Sequence, residues 1–273
     1  MEEAVRKVLS EAQVASYRRD GIVFPIDLLS RAEAVALRRK VEAVETRIGA
    51  EMQSRFKIKA HLPFPWLWDI IAHPMLLDAV EDLIGPDILC WGSSFFTKNA
   101  HDPRFVSWHQ DSTYYGLEPP DTLTAWLAIS DSTVESGCVR FLPGSHDQGV
   151  RHHDEYPEEG NLLSRGQTIA GVDADMAVDV ELKAGQFSFH KEDVIHGSNP
   201  NRSDGRRLGF SIHYVAPHVH EVNYPEATAA LLRGENRLGH WGADPVAKED
   251  WDPECLDFLN RSWERYKAAQ QTA

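Results

Sequence analysis

The 273-residue sequence is short of cysteine, of basic side chains and of long apolar runs. Its three cysteines, Cys90, Cys138 and Cys255, are odd in number, scattered and in no CxxC spacing. That excludes a disulfide scaffold, and the expectation is three reduced, buried thiols in a cytoplasmic protein. No apolar stretch approaches the roughly 20 residues that a membrane-spanning helix needs. The opening MEEAVRKVLSEAQ has no basic segment followed by an apolar core and a cleavage site, so no secretion signal is expected. Basic side chains number 28 against 42 acidic, a net charge of −14. So much negative surface argues against nucleic acid or an anionic membrane as the main partner. Repeats, low-complexity tracts and interdomain linkers are missing too, so one domain over residues 1–273 is expected. A chain of this length can bury a full core as a single barrel or sandwich.

What is present begins with two helix starts. Ser10 followed by Gln13, and Ser30 followed by Glu33, have capping-box spacing. Between them GIVFPIDLL reads as a strand, and PMLLDAVEDLIG reads as a helix ended by Gly85 and Pro86. From Ile88 the texture changes to short strands between turn residues: ILCWGSSFFTK, RFVSWHQD, TLTAWLAIS, CVRFLPGS, AVDVELKAGQFSFH and RRLGFSIHYV. That spacing indicates a sandwich or barrel. The polar stretch 150–170 is long for a connection and is either a solvated excursion or a lid. Asp252, Pro253 and Glu254 open a last helix, on which Leu256, Leu259, Trp263 and Tyr266 share a face. The expected layout is a β core over roughly 88–216, flanked by helices over 10–85 and 225–270.

Strand side chains alternate between faces. In RRLGFSIHYV, Leu208, Phe210, Ile212 and Tyr214 point one way, and Arg207, Gly209, Ser211 and His213 the other. In TLTAWLAIS the apolar set is Leu123, Ala125, Leu127 and Ile129, and Thr124, Trp126 and Ala128 oppose it. One aliphatic face and one small or polar face suit a barrel whose lumen holds a ligand, or a strand half in water. Alternation does not separate the two.

Chemistry does. His109 and Asp111 are two residues apart, hence on one face of an extended segment that they share with Ser107. With a third ligand they would form a two-histidine, one-carboxylate facial triad, which suits Fe(II) because it leaves three adjacent positions open. Among 13 histidines an HxD match alone is weak. His196 is the candidate third ligand, with His190 as its rival. Arg207 follows His196 by 11 residues, on the lumen face. A planar, two-pronged cation there suits a carboxylate co-substrate, whereas its bland alternative is a surface salt bridge.

The sequence resembles the phytanoyl-CoA dioxygenase-like branch of the Fe(II)/2-oxoglutarate oxygenases. The resemblance rests on WHQDSTYYGL (108–117), TAWLAISD (124–131), ESGCVRFLPGSH (135–146) and IHGSNPNRSDGRRLGF (195–210), and it runs from roughly Gln13 to Tyr214. It implies a mainly β, double-stranded β-helix (jelly-roll) core with helices packed outside. It also implies that His109, Asp111 and His196 bind iron, and that Arg207 holds the distal carboxylate of 2-oxoglutarate with help from Ser198. Trp126 and Thr124 would line the co-substrate pocket, and Lys98 stands in an F-x-K pattern seen in relatives. The implied reaction oxidises a small molecule with O2 and 2-oxoglutarate and releases succinate and CO2. Hydroxylation is the expected outcome, with desaturation, epoxidation or ring formation as alternatives. Halogenating relatives have Gly or Ala where Asp111 stands, so no halogenase activity is expected. The rival readings are a non-catalytic jelly-roll binding protein and a cupin-like isomerase or hydrolase built on another metal.

Substrate contacts are expected among Tyr114, Tyr115, Trp66, Trp68, Phe96 and Arg140. Aromatic walls would favour a cationic substrate, and Arg140 a carboxylate or phosphonate. His146 reads as structural, and His152 and His153 as solvated. His213 reads as a satisfied core histidine, with substrate contact as the alternative.

Overall fold

The computed structural model describes residues 7–156, 158–163, 165–223 and 226–272. The chain opens with helices α1 (Glu11–Asp20) and α2 (Arg31–Ile48), each begun by a full capping box, Ser10 with Gln13 and Ser30 with Glu33. Each box satisfies two orphan N–H groups, and its serine contributes about 1 kcal/mol to the helix. Gly21 and Gly49 end these helices at φ 76° and 66°, where any other residue would be strained. Helices α3 (Met52–Arg55), α4 (Pro65–Ile71) and α5 (Pro74–Ile84) follow.

Strands β1 (Ile22–Asp27), β2 (Ile88–Lys98), β3 (Val106–His109), β4 (Leu123–Ala128), β5 (Val139–Phe141), β6 (Val178–Val180), β7 (Gln186–Lys191), β8 (His196–Ser198), β9 (Arg207–Val215), β10 (Thr228–Arg233) and β11 (Gly242–Ala243) build two sheets. The larger has the order β1-β7-β4-β9-β2-β10-β11, and the smaller β3-β8-β5-β6. Every pairing is antiparallel except β10 with β11. This is the jelly roll that the resemblance implied.

Alternation along β9 decides its packing. Leu208, Phe210, Ile212 and Tyr214 join the main apolar core with residues of α1, α2, α4 and α5, and the Tyr214 hydroxyl donates to the Ile71 carbonyl at 2.8 Å. The opposite set faces the lumen, where Arg207, Ser211 and His213 border a cavity. The half-exposed alternative is excluded, because all nine residues of β9 are buried.

The structure departs from the sequence reading in two elements. AVDVELKAGQFSFH forms two strands in different sheets, β6 and β7. Gly185 lies between them at φ 94°, and a Cβ there would lie 2.2 Å from the Leu29 carbonyl. Residues 225–270 are not a helical flank throughout: β10 pairs with β2, setting Ala230 against Cys90 and Leu231 against Leu89. Sheet pairing there overrides the helix propensity of TAALL. Among the described residues of that span only α7 (Pro253–Thr272) is helical.

The segment after β11 is tied back by a buried ion pair. Lys59 Nζ lies 2.7 Å from Asp244 Oδ2 and donates to the Thr228 carbonyl at 2.8 Å. Beside it, His61 Nδ1 lies 2.8 Å from Ser93 Oγ. No helix of the described residues is long and apolar enough to cross a membrane.

Candidate metal centre

The small sheet brings the two histidines together. His109 on β3 and His196 on β8 are cross-strand partners, with ring centroids 4.1 Å apart. Phe141 pairs with His196 from the other side and stacks on it at 5.2 Å. Close approach of these strands needs Gly197, since a Cβ there would lie 2.9 Å from the Val106 carbonyl. Asp111 follows β3 at the start of a single helical turn, α6 (Ser112–Tyr115). Its Oδ1 lies 3.3 Å from His109 Nε2 and 3.8 Å from His196 Nε2. One donor atom from each of the three residues lies within 4.8 Å of the others.

Backbone carbonyls fix both imidazoles. His109 Nδ1 donates to the Ser107 carbonyl at 2.9 Å, and His196 Nδ1 to the Val194 carbonyl at 3.0 Å. A carbonyl only accepts, so the Nδ1 proton is fixed and Nε2 of each neutral ring carries a lone pair. Burial, reinforced by His109, pushes His196 down to about 3, which keeps it neutral. Bare nitrogens facing a carboxylate repel one another unless a cation sits among them. The donor set therefore fits a divalent metal.

His190, the rival ligand, stands on the other side of the carboxylate, its Nε2 3.7 Å from Asp111 Oδ2. It borders the cavity and makes no part of the three-residue cluster.

The cavity running from this cluster has a volume of about 400 Å3. Arg207 enters it from β9 and is 1% exposed, which rules out a surface salt bridge. Its guanidinium lies 5.4 Å from the Trp126 ring and donates to the Gly137 carbonyl at 2.6 Å. Its Nε is buried without a partner, and among the described residues no carboxylate pairs with it. Burial pushes Arg207 down to about 10, so it remains charged at neutral pH. A buried cation in that state is costly without an anion. Ser198 borders the same cavity.

Lys98 and Thr124 differ from expectation, because neither borders the cavity. Lys98 is the cross-strand partner of Arg207 and stands behind Ser198, its Nζ donating to Ser198 Oγ at 2.6 Å and also to the Asn199 carbonyl. Thr124 Oγ1 lies 3.1 Å from His213 Nδ1.

Of the expected substrate contacts, Tyr115 and Phe96 border the cavity. Trp66 lies under Lys40, Trp68 against His61, and Arg140 pairs with Asp179 over Trp108. The side chain of Tyr114 lies outside the described residues. His146 is structural, its Nε2 lying 3.2 Å from the Arg18 carbonyl. His152 is solvated, but His153 is half-buried and accepts from the Gln110 N–H at 2.9 Å.

That contact reveals a residue the sequence reading missed. Gln110, between the two ligands, is fully buried; its amide donates to the Gly149 and Asp193 carbonyls and accepts from the Arg151 N–H. A polar residue between two ligands on alternating faces must point away from the metal, and that was the available signal. The 150–170 stretch also runs along β3, with Leu162 N–H donating to the Phe105 carbonyl and Ile169 N–H to that of Trp108. Asn161, Leu162 and Leu163 close one side of the cavity, and Trp263 and Tyr266 of α7 another.

Comparison with known proteins agrees with this geometry. A model of the phytanoyl-CoA dioxygenase (PhyH) family matches residues 17–209. A probable phytanoyl-CoA dioxygenase of Caenorhabditis elegans is 30% identical over 205 residues, 69% of this chain and 65% of that protein. The chain spans between 45% and 65% of the length of such curated relatives. Among solved structures, the non-heme monooxygenase ThoJ in its apo form is 32% identical with a TM-score of 0.83, over 96% of this chain and 100% of that one. ThoJ has also been solved as a nickel complex, 31% identical at a TM-score of 0.76 over 95% and 99% of the two chains. SnoK, a non-heme alpha ketoglutarate dependent carbocyclase, is 26% identical at a TM-score of 0.62 over 78% and 86%. With the family model covering most of its length, the chain belongs to the phytanoyl-CoA dioxygenase family.

Proposed function

We propose that the chain is an Fe(II)- and 2-oxoglutarate-dependent oxygenase that hydroxylates a small molecule. The observation that carries this reading is the pairing, in one cavity, of the largely buried His109–Asp111–His196 cluster with a buried Arg207 that has no carboxylate partner among the described residues. When bound, iron with 2-oxoglutarate and O2 supplies a two-electron oxidation and leaves succinate and CO2.

The protein's part is orientation. The Ser107 and Val194 carbonyls hold the two rings so that Nε2 of each is presented to the metal, and Asp111 supplies the anionic ligand. Arg207 binds the far carboxylate of 2-oxoglutarate through its unpaired edge, and Ser198, held by Lys98, adds a hydroxyl. Trp126 packs beside the guanidinium and keeps water from it. The 161–163 segment and α7 enclose the remaining space, where the substrate docks. With Asp111 as a ligand, no position is vacated for a halide, so the outcome is oxygenation. Likeness to a carbocyclase supports ring formation as the second outcome.

The test is anaerobic addition of Fe(II) and 2-oxoglutarate to the full chain. A visible charge-transfer absorption is expected, lost in His196→Ala and in Arg207→Met. A wild-type protein that develops no such absorption overturns the reading. Screening metabolites in air for succinate release then identifies the substrate.

A further inference from the structure

Two serines face each other on the lumen wall, and the metal and co-substrate leave both unused. Ser211 on β9 is the cross-strand partner of Ser94 on β2, in the row that also sets Arg207 against Lys98 and Gly209 against Phe96. Side chains directly opposite in an antiparallel pair share a face, and both serines border the cavity. Neither hydroxyl is hydrogen-bonded within the described residues, although Ser211 is only 3% exposed. By contrast, Gln53, Ser54, Ser93, Asn161 and Ser198 also border the cavity and are each engaged by protein. The two free hydroxyls therefore open on the cavity as a pair.

Trp126 decides which part of the cavity they serve. Its backbone pairs with Ser211 on the second side of β9, and its ring leans along that strand onto Gly209, where a Cβ would run into the six-membered ring. The backbone of Gly209 is not left-handed, so the close approach of the ring accounts for the missing side chain. Beyond the ring stands the Arg207 guanidinium, 5.4 Å away. The indole thus separates the serines from the cation. On their other side the row continues with Gly92 and His213, and the Trp91 and Tyr115 rings lie 5.5 and 5.3 Å from that imidazole.

Cross-strand partners hold their Cβ atoms about 4.5–5.5 Å apart, and an O–H···O bond spans about 2.7–2.8 Å. One oxygen above the strand pair is therefore within reach of both hydroxyls. Each hydroxyl has one proton to give, and a carbonyl oxygen has two lone pairs to accept them. We propose that Ser94 and Ser211 form a substrate subsite that takes a carbonyl oxygen, with one hydrogen bond from each serine. The aromatic walls beside them place that oxygen on an otherwise apolar body. The proposal rests on the oxygenase reading only for the use of the cavity as a substrate chamber.

The test is carbon NMR of carbonyl-labelled cyclohexanone titrated with the full chain, without metal or 2-oxoglutarate. Water donates to a ketone and a hydrocarbon does not, so the bound resonance reports whether the protein replaces the hydrogen bonds of water. In the wild type the bound shift is expected at or above its value in water. Ser94→Ala and Ser211→Ala should each weaken binding about fivefold and move the shift towards its value in hexane. Methylenecyclohexane, of similar bulk and without the oxygen, should bind the wild type and both variants alike. No binding of the ketone, a bound shift that both variants leave in place, or an equal loss of the hydrocarbon overturns the proposal. Ser211→Cys keeps the side-chain size with a weaker donor, and it serves where an alanine variant misfolds. An intact ketone subsite in a protein that fails the iron and 2-oxoglutarate test would sink the oxygenase reading alone.

Discussion

Lys98 stands one hydrogen bond behind Ser198, and burial together with Arg207 pushes its ammonium down to about 6. Near neutral pH much of it is therefore uncharged while no anion is held by Arg207. Binding a dianion nearby favours the charged form, so the complex takes up a proton. Affinity for 2-oxoglutarate should thus fall as pH rises above about 6. Calorimetry at pH 7.5 in buffers of differing ionisation enthalpy checks this, and an enthalpy independent of buffer would show that Lys98 does not change charge. Ser198→Ala removes one hydrogen bond and should weaken 2-oxoglutarate about fivefold by the same measurement. Asp111→Gly should cost more metal affinity than the roughly 10–100-fold loss typical of outer-shell partners. Titration with Co(II) reads this, and unchanged binding would remove Asp111 from the ligand set.

Among the elements, the turn between β3 and α6 depends on Gln110, which ties it to both the 149–153 segment and the β7–β8 turn. Gln110→Ala leaves two carbonyls and an N–H in part-buried surroundings without their partner, at a cost of about 1 kcal/mol. A loss of several degrees in melting temperature is expected, with weaker metal binding as Asp111 loosens. A variant melting like the wild type would show that water replaces the amide. Helix α7 supplies Trp263 and Tyr266 to the cavity, far from Arg207 in sequence. Trp263→Ala should raise the substrate KM and leave 2-oxoglutarate affinity within about twofold, because the two ligands touch different walls. Strands β4 and β9 were legible because each splits into an aliphatic face and a face of small or polar groups, and β2 because its apolar run stands between turn residues. The opposition of His109 and His196 across two strands was not, since register follows from partners distant in sequence. β10 was misread because TAALL fits a helix until β2 offers it an edge. Thr124 shares the lumen-facing set, but its hydroxyl meets His213 Nδ1 and it does not border the cavity.

At the scale of the whole molecule, buried acids set the pH range of stability. Glu192 is 1% exposed; burial pushes it up to about 8, while its Oε1 accepts from the Thr122 N–H. A raised acid contributes stability that is complete below its unfolded pKa and lost as pH rises towards 8. Asp102 behaves oppositely: burial opposes but Arg104 prevails, holding it at about 2, and its contribution is lost only as pH falls towards that value. Glu192→Gln keeps the acceptor without the charge, so it should raise the melting temperature at pH 8 by on the order of 5 °C and far less at pH 5. Equal effects at both pH values would show that Glu192 is ionised in the fold. The jelly roll and the metal cluster were readable through the family resemblance that the motifs carry, whereas the enclosure of the cavity was hidden because α7 and the 161–163 segment reach it only in three dimensions. Asp244 carries a related consequence for synthesis. Lys59 and His61 abut the cavity wall near Ser93, yet their counter-charge lies 185 residues after Lys59. A nascent chain therefore cannot settle this wall until the ribosome has released residues beyond Asp244, and prematurely ended products should be cleared by proteases rather than persist as partial enzymes.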